Sequence, residues 1–150
     1  MPSLKNRIAV WFEESGLVYP TEVPSDWVKY CSNKSLEDPA YLLIAGRIET
    51  FKLHEITNVK FSDVPYPNLS ESVKQIVFEN PVKVDAMLIP ERDFNNNLFS
   101  VKTLMRSYLI RDPSGNIIER PCHLWMRVAL GIHGKNFPKV METYDALTSG

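Results

Sequence analysis

Ile118-Glu119-Arg120-Pro121-Cys122-His123-Leu124-Trp125-Met126-Arg127-Val128-Ala129-Leu130-Gly131-Ile132-His133 is the stretch on which the fold turns. Pro121 carries no backbone N–H, so it suits the first turn of a helix, where that donor would have no intrahelical partner. Beyond it Leu124, Trp125, Val128, Ala129, Leu130 and Ile132 recur at helical spacing, which predicts a helix from Pro121 onward. A last helix is predicted from Asn136 or Phe137, with Pro138 in its first turn and Val140, Met141, Tyr144 and Leu147 on one face. Upstream, Arg106 to Arg111 reads as a strand, Asp112-Pro113-Ser114-Gly115-Asn116 as a turn, and Ile117-Ile118-Glu119 as the return strand. Together they predict a β-hairpin over about residues 106–119.

Further towards the amino end, Asp38 can cap a helix whose first turn holds Pro39. Leu43, Ile44, Ile48, Phe51, Leu53 and Ile56 continue its apolar pattern to about Thr57. Ala45 and Gly46 are small enough to let a neighbouring helix come close. Pro65 and Pro67 place a loop around residues 63–67, and Ser70 to Phe78 reads as a short helix with Val73, Ile76 and Val77 inward. Leu4 to Glu14 is a helix candidate ended by Gly16; Pro20 and Pro24 break the pattern, and Ser25-Asp26 starts another helix through Trp27, Val28 and Tyr30. The fold class expected is therefore mainly α, with one hairpin.

Composition narrows the function classes. The chain has 150 residues, enough for one domain with a sizeable core and no metal or disulfide staple. A formal net charge of −1 gives no electrostatic case for nucleic acid or an anionic membrane. No apolar run reaches the roughly 18 residues of a membrane helix, and the first residues carry no signal-peptide pattern. Cys31 and Cys122 lack Cys-x-x-Cys spacing, fit a reducing compartment and read as small buried hydrophobes.

The residues that could carry chemistry read as structural. His54-Glu55 would need a second histidine at position 58 to form the zinc-protease signature, and Asn58 stands there. His54 is read instead as a histidine at a helix edge, bonded to backbone or water. His123 and His133 lie ten residues apart on one helix, about 15 Å of rise, too far to share a metal. Glu91-Arg92-Asp93 reads as a local ion pair or a solvated loop, and Asn95-Asn96-Asn97 as a turn or helix cap. The glycines are scattered rather than gathered in a phosphate loop, no Gly-x-Ser-x-Gly elbow occurs, and Trp11, Trp27 and Trp125 read as core. No catalytic, cofactor-binding or metal-binding residue is expected.

The opening stretch resembles the large subunit of class I ribonucleotide reductase (ribonucleoside-diphosphate reductase), in its eukaryotic and large-DNA-virus branch. That family carries "ERPQHMxMRVAxGIH" here, and Cys122 stands where its glutamine is usual. Glu91-Arg92-Asp93-Phe94, the run from Leu98 to Leu104, Ser107-Tyr108-Leu109-Ile110, and the run from Glu142 to Leu147 resemble further family segments in order. So do Asp38 to Tyr41, Arg47-Ile48, Leu53-His54 and Phe61-Ser62-Asp63-Val64. The resemblance covers about residues 37–64 and 90–148.

It implies the helical region amino-terminal to the family's α/β barrel, over residues 37–150. Residues 1–36 do not match the front motif of the family's ATP cone and are expected to be a divergent segment with that cone degenerate or absent. The thiyl-radical cysteine, the redox cysteine pair and the catalytic glutamate belong to the barrel, so the chain alone is expected to be inactive. A helix start can lower a thiol pKa, which would apply to Cys122, yet it falls in no motif of those cysteines. The implied partners are the remainder of the large subunit and, through it, the radical-generating small subunit, in the cytoplasm. A split subunit or fragment is one reading. A truncated, non-enzymatic homologue acting as a protein-binding module is the alternative. A third is an unrelated helical domain, which a structure lacking the hairpin at residues 106–119 would favour.

Overall fold

A computed structural model describes Lys29 and residues 37–57 and 59–148. The helices are α1 (Pro39–Ile56), α2 (Glu71–Glu79), α3 (Pro81–Met87), α4 (Leu98–Ser107), α5 (Pro121–His133) and α6 (Phe137–Thr148), with 3-10 turns at Phe61–Asp63 and Pro90–Asn95. The helices expected over residues 4–14 and from Ser25 lie outside the described residues, apart from helical Lys29. The chain divides into two compact units, one of Met1–Ile56 with Phe94–Thr103, the other of Thr57–Asp93 with Leu104–Gly150.

In the first unit, α1 buries Ile44, Ala45, Phe51 and Leu53. Its last apolar position, Ile56, is 70% exposed, although the spacing placed it with the others. Gly46 serves the close approach its size suggested. An ideal Cβ there would sit 2.5 Å from the carbonyl carbon of Asn97 and 2.7 Å from the amide nitrogen of Leu98. The start of α4 thus lies against the bare backbone of α1. Asn97 caps α4, its Oδ1 accepting the Ser100 N–H at 2.9 Å, as its composition led one to expect.

The second unit is built on the α5–α6 pair. Met126, Ala129 and Leu130 of α5 meet Val140 and Tyr144 of α6, and Val73, Ile76, Val84, Met87 and Phe61 complete the cluster. Gly134 makes the tight link, with φ at 60° and its N–H returned to Leu130 O at 2.8 Å. Ser70 caps α2 through Val73 N–H. Two helices were not foreseen. Pro81 opens α3 directly after α2, and α4 occupies residues that the sequence reading left unassigned up to residue 105 and gave to a strand from Arg106.

The β-hairpin is not formed. No strand occurs among the described residues, and only an isolated antiparallel bridge joins Arg111 to Ile117. Arg106 and Ser107, expected to open the first strand, are the last turn of α4. The Tyr108 and Leu109 N–H groups both return to Leu104 O, at 3.0 and 2.8 Å. Pro121 ends the return arm by starting α5. The turn itself does form: Gly115 has φ of 89°, and Asp112 Oδ1 accepts the N–H groups of Ser114 and Asn116 at 2.9 Å each. What remains between two helices is too short for a ladder.

Candidate functional site

The sequence that decides the fold also builds a polar cluster around a buried carboxylate in the second unit. Glu119 stands two residues before α5 and is wholly buried. A carboxylate there is costly unless its lone pairs are filled. Arg127, two turns into α5, donates from Nε to both oxygens at 3.1 Å and from Nη2 to Oε1 at 2.9 Å. Tyr66 donates its hydroxyl to Oε2 at 2.6 Å, and the Ile110 N–H donates to Oε1 at 3.0 Å. Arg127 Nη2 also donates to Tyr108 O at 3.2 Å. One carboxylate thus ties α5 to the loop holding Tyr66 and to the segment after α4. Burial, then the neighbouring Glu119 charge, push the Tyr66 phenol well above its ordinary range. With its acceptor sites engaged by a cation and two further donors, Glu119 is built to hold elements in place rather than to move protons.

Arg120 and His123 extend the cluster. Arg120 Nε donates to Thr57 O at 3.0 Å, and the His123 Nδ1 accepts the Arg120 backbone N–H at 3.2 Å, giving that N-cap donor a partner at the start of α5. The His123 ring also lies 5.8 Å from that of Phe61. Lys60, Asp85, Arg120 and His123 border a pocket of about 380 Å³, but Asp85 is already engaged by the N–H of Ser62 at 2.9 Å and its hydroxyl at 2.5 Å.

His133 Nε2 lies 2.7 Å from Thr143 Oγ1, linking α5 to α6. His54 is buried rather than at a helix edge, its ring set edge-on to Phe94 with centroids 5.2 Å apart. In the Glu91-Arg92-Asp93 run, Arg92 pairs outside the run. Arg92 reaches Asp145 at 2.7 Å and Thr148 Oγ1 at 2.8 Å near the end of α6, and Asp93 is buried. Cys122 is fully buried, as expected of a small hydrophobe. The helix start does not lower its pKa: burial, then the adjacent Asp93 carboxylate, push the thiol up. No group of three metal-ligating side chains occurs among the described residues, and no described helix is long and apolar enough to cross a membrane. The sequence reading put Glu119 in a return strand and Tyr66 in a loop, and did not bring them together with Arg127. The available signal was a charged pair inside an otherwise apolar stretch.

Residues 94–150 match a family described as "Ribonucleotide reductase, all-alpha domain". The chain is similar to the ribonucleoside-diphosphate reductase large chain of Schizosaccharomyces pombe, 38% identical in an alignment of 124 residues that covers 73% of this chain and 15% of the relative. It is also similar to large chain 2 of Saccharomyces cerevisiae, 36% identical over 132 residues, 79% of this chain and 15% of the relative. With the large subunit of Vaccinia virus the figures are 36% over 126 residues, 75% and 16%. The chain spans about 15% of the length of the curated relatives it matches. An all-alpha domain also explains why a missing hairpin was a poor criterion for unrelatedness.

Proposed function

Because the chain belongs to the ribonucleoside-diphosphate reductase large-subunit family, we propose that it is the helical part, residues 37–150, of a large subunit that makes deoxyribonucleotides. The observation that carries this is similarity of 33–38% over alignments of 124 to 147 residues, together with the family match over residues 94–150, which includes Glu119 and Arg127. On this reading the chain supplies no catalytic group, nucleotide site or metal site. Its work is to fold as a rigid support for the remainder of the large subunit, and through that to serve the small subunit, in the cytoplasm. Residues 1–36 are then a divergent segment without a working ATP cone. The buried Glu119–Arg127 pair supports the scaffold role, since it joins three stretches and leaves no open reactive position.

The test is reconstitution. Mixed with a polypeptide carrying the rest of the large subunit, and with the small subunit, the chain should restore nucleoside diphosphate reduction that neither mixture component gives alone. Absence of both co-purification and restored activity would overturn the reading. The exposed apolar side chains Phe78 and Val82 favour a second reading, a non-enzymatic module that binds another protein. Its mark would be specific retrieval of a partner unrelated to the reductase.

A further inference from the structure

We propose that the cavity bordered by residues 59–61, Asp85, Leu88 and the first turn of α5 binds phosphate, as the free ion or as the head of a small ester. The scaffold role above does not depend on it.

The cavity lies wholly within the second unit, has a volume of about 380 Å³ and takes part of its apolar wall from Phe61 and Leu88. Small-molecule sites run from roughly 300 to 1,000 Å³ and combine an apolar lining with a few convergent polar groups. The polar groups here are Lys60, Arg120 and His123, each of a type that donates hydrogen bonds. Two of them are set into the protein: Arg120 is 8% exposed and His123 2%. Arg120 is fixed through Nε, which donates to Thr57 O at 3.0 Å. The His123 Nδ1 accepts the Arg120 backbone N–H at 3.2 Å, so the neutral ring carries its proton on Nε2. Lys60 stands at the exposed rim, and its ammonium has no hydrogen bond or ion pair with a described residue. Asp85 is the one described carboxylate on the wall. Ser62 occupies both its oxygens, the N–H at 2.9 Å and the hydroxyl at 2.5 Å, and Ser62 does not border the cavity. The lining therefore sets two cations against one carboxylate that is drawn elsewhere.

This donor set selects the class of ligand. A cation would need oxygen acceptors, and the single carboxylate is engaged. Arginine and lysine bind phosphate in complementary ways, one as a planar fork and the other as a compact point charge. Three donors carried by three separate residues suit a group with several equivalent oxygens better than the two oxygens of a carboxylate.

The test is calorimetric titration of the full chain with inorganic phosphate at constant ionic strength, repeated with phenyl phosphate and with benzoate. Saturable binding of phosphate is expected, weakened at least fivefold by Lys60→Gln and unchanged by Lys139→Gln, which alters an exposed lysine on α6. Lys60→Gln changes a side chain already in water, and its urea midpoint checks that folding is kept. The His123 ring signals in an NMR spectrum should shift with phosphate and not with chloride, which reads the buried side of the cavity without mutating it. Tighter binding of phenyl phosphate than of phosphate identifies an ester as the ligand; equal or weaker binding identifies the free ion. Absence of saturable phosphate binding, a loss of less than fivefold in Lys60→Gln, unmoved His123 signals, or benzoate binding more tightly than phosphate each overturns the assignment. The proposed function stands in all of these cases, because reconstitution reads it separately.

Discussion

Arg127 grips the fully buried carboxylate of Glu119 through Nε and Nη2, with contacts at 2.9 and 3.1 Å, although the two residues belong to different elements. Two planar groups that meet in this way fix both position and angle. The pair therefore decides how the segment after α4 and the Tyr66 loop meet α5.

Removing one partner leaves the other charge buried without compensation, which costs about 3–5 kcal/mol. Arg127→Met is thus expected to lower the unfolding free energy, measured by urea titration, by that order. The paired change of Glu119→Leu with Arg127→Met should recover much of the loss, because it removes both desolvated charges together. A single Arg127→Met variant as stable as the parent would show that the pair is not a structural link.

Gly46→Ala is expected to destabilise the first unit, against the trend of helix propensity. Alanine in a helix interior ordinarily gains up to about 1 kcal/mol over glycine. Here the added methyl would press on the backbone of Asn96, Asn97 and Leu98, which cannot rotate away as a side chain could. Overpacking of this kind costs about 1–3 kcal/mol. Thermal unfolding separates the two effects by sign, and a raised Tm for Gly46→Ala would refute the close approach.

The helices were legible where one local signal was enough. Pro39, Ser70, Pro121 and Pro138 mark their starts, and apolar spacing carries α1, α5 and α6. The hairpin failed for a nonlocal reason. Residues 106–111 have a strand's composition, but the Asn97 cap commits the chain to α4 as far as Ser107, and Glu119 answers the Ile110 N–H from the side. Helix α3 was hidden because Pro81 was not read as a first-turn residue after such a short helix. The reach of Arg92 to Asp145 and the enclosure of Glu119 depend on partners 53 and 8 residues away, which spacing in sequence does not show. The family block was legible, while the part its charged residues play in packing was not.

Asp112 anchors the turn by accepting backbone N–H groups, and these hold its carboxyl below the ordinary 3.8, led by the bond from Asn116. A depressed pKa in the folded state stabilises above the unfolded value and loses its effect as pH falls through the folded one. The turn should therefore loosen below about pH 4, which amide exchange at Ser114 and Asn116 would report. Asp112→Ala should show the same exchange at neutral pH; slow exchange in that variant would count against the side chain as anchor.

Cys122 supplies the last prediction, with two independent readouts. Its thiol is enclosed and pushed up from the ordinary 9.0 by burial first and the Asp93 charge second, with Arg120 opposing. The reactive thiolate is thus scarce, and a reagent has no path to it in the folded state. In a Cys31→Ser background, where Cys122 is the single thiol, iodoacetamide labelling at neutral pH should follow the rate of unfolding and accelerate with urea. Labelling as fast as a free thiol in the folded protein would contradict the burial. The raised pKa also fixes the sign of the alkaline response. Below pH 9 both states keep the proton and the contribution is fully present. As pH rises past 9 the unfolded chain releases the proton that the folded chain retains, so stability falls towards the folded pKa, by up to about 1.4 kcal/mol per pH unit for one proton. Tyr66 and Tyr144, raised from 10.0 chiefly by burial, add to that loss at higher pH. Replacing Cys122 with alanine should remove the first part of the alkaline decline and leave the later part, which urea midpoints measured from pH 8 to 11 would resolve.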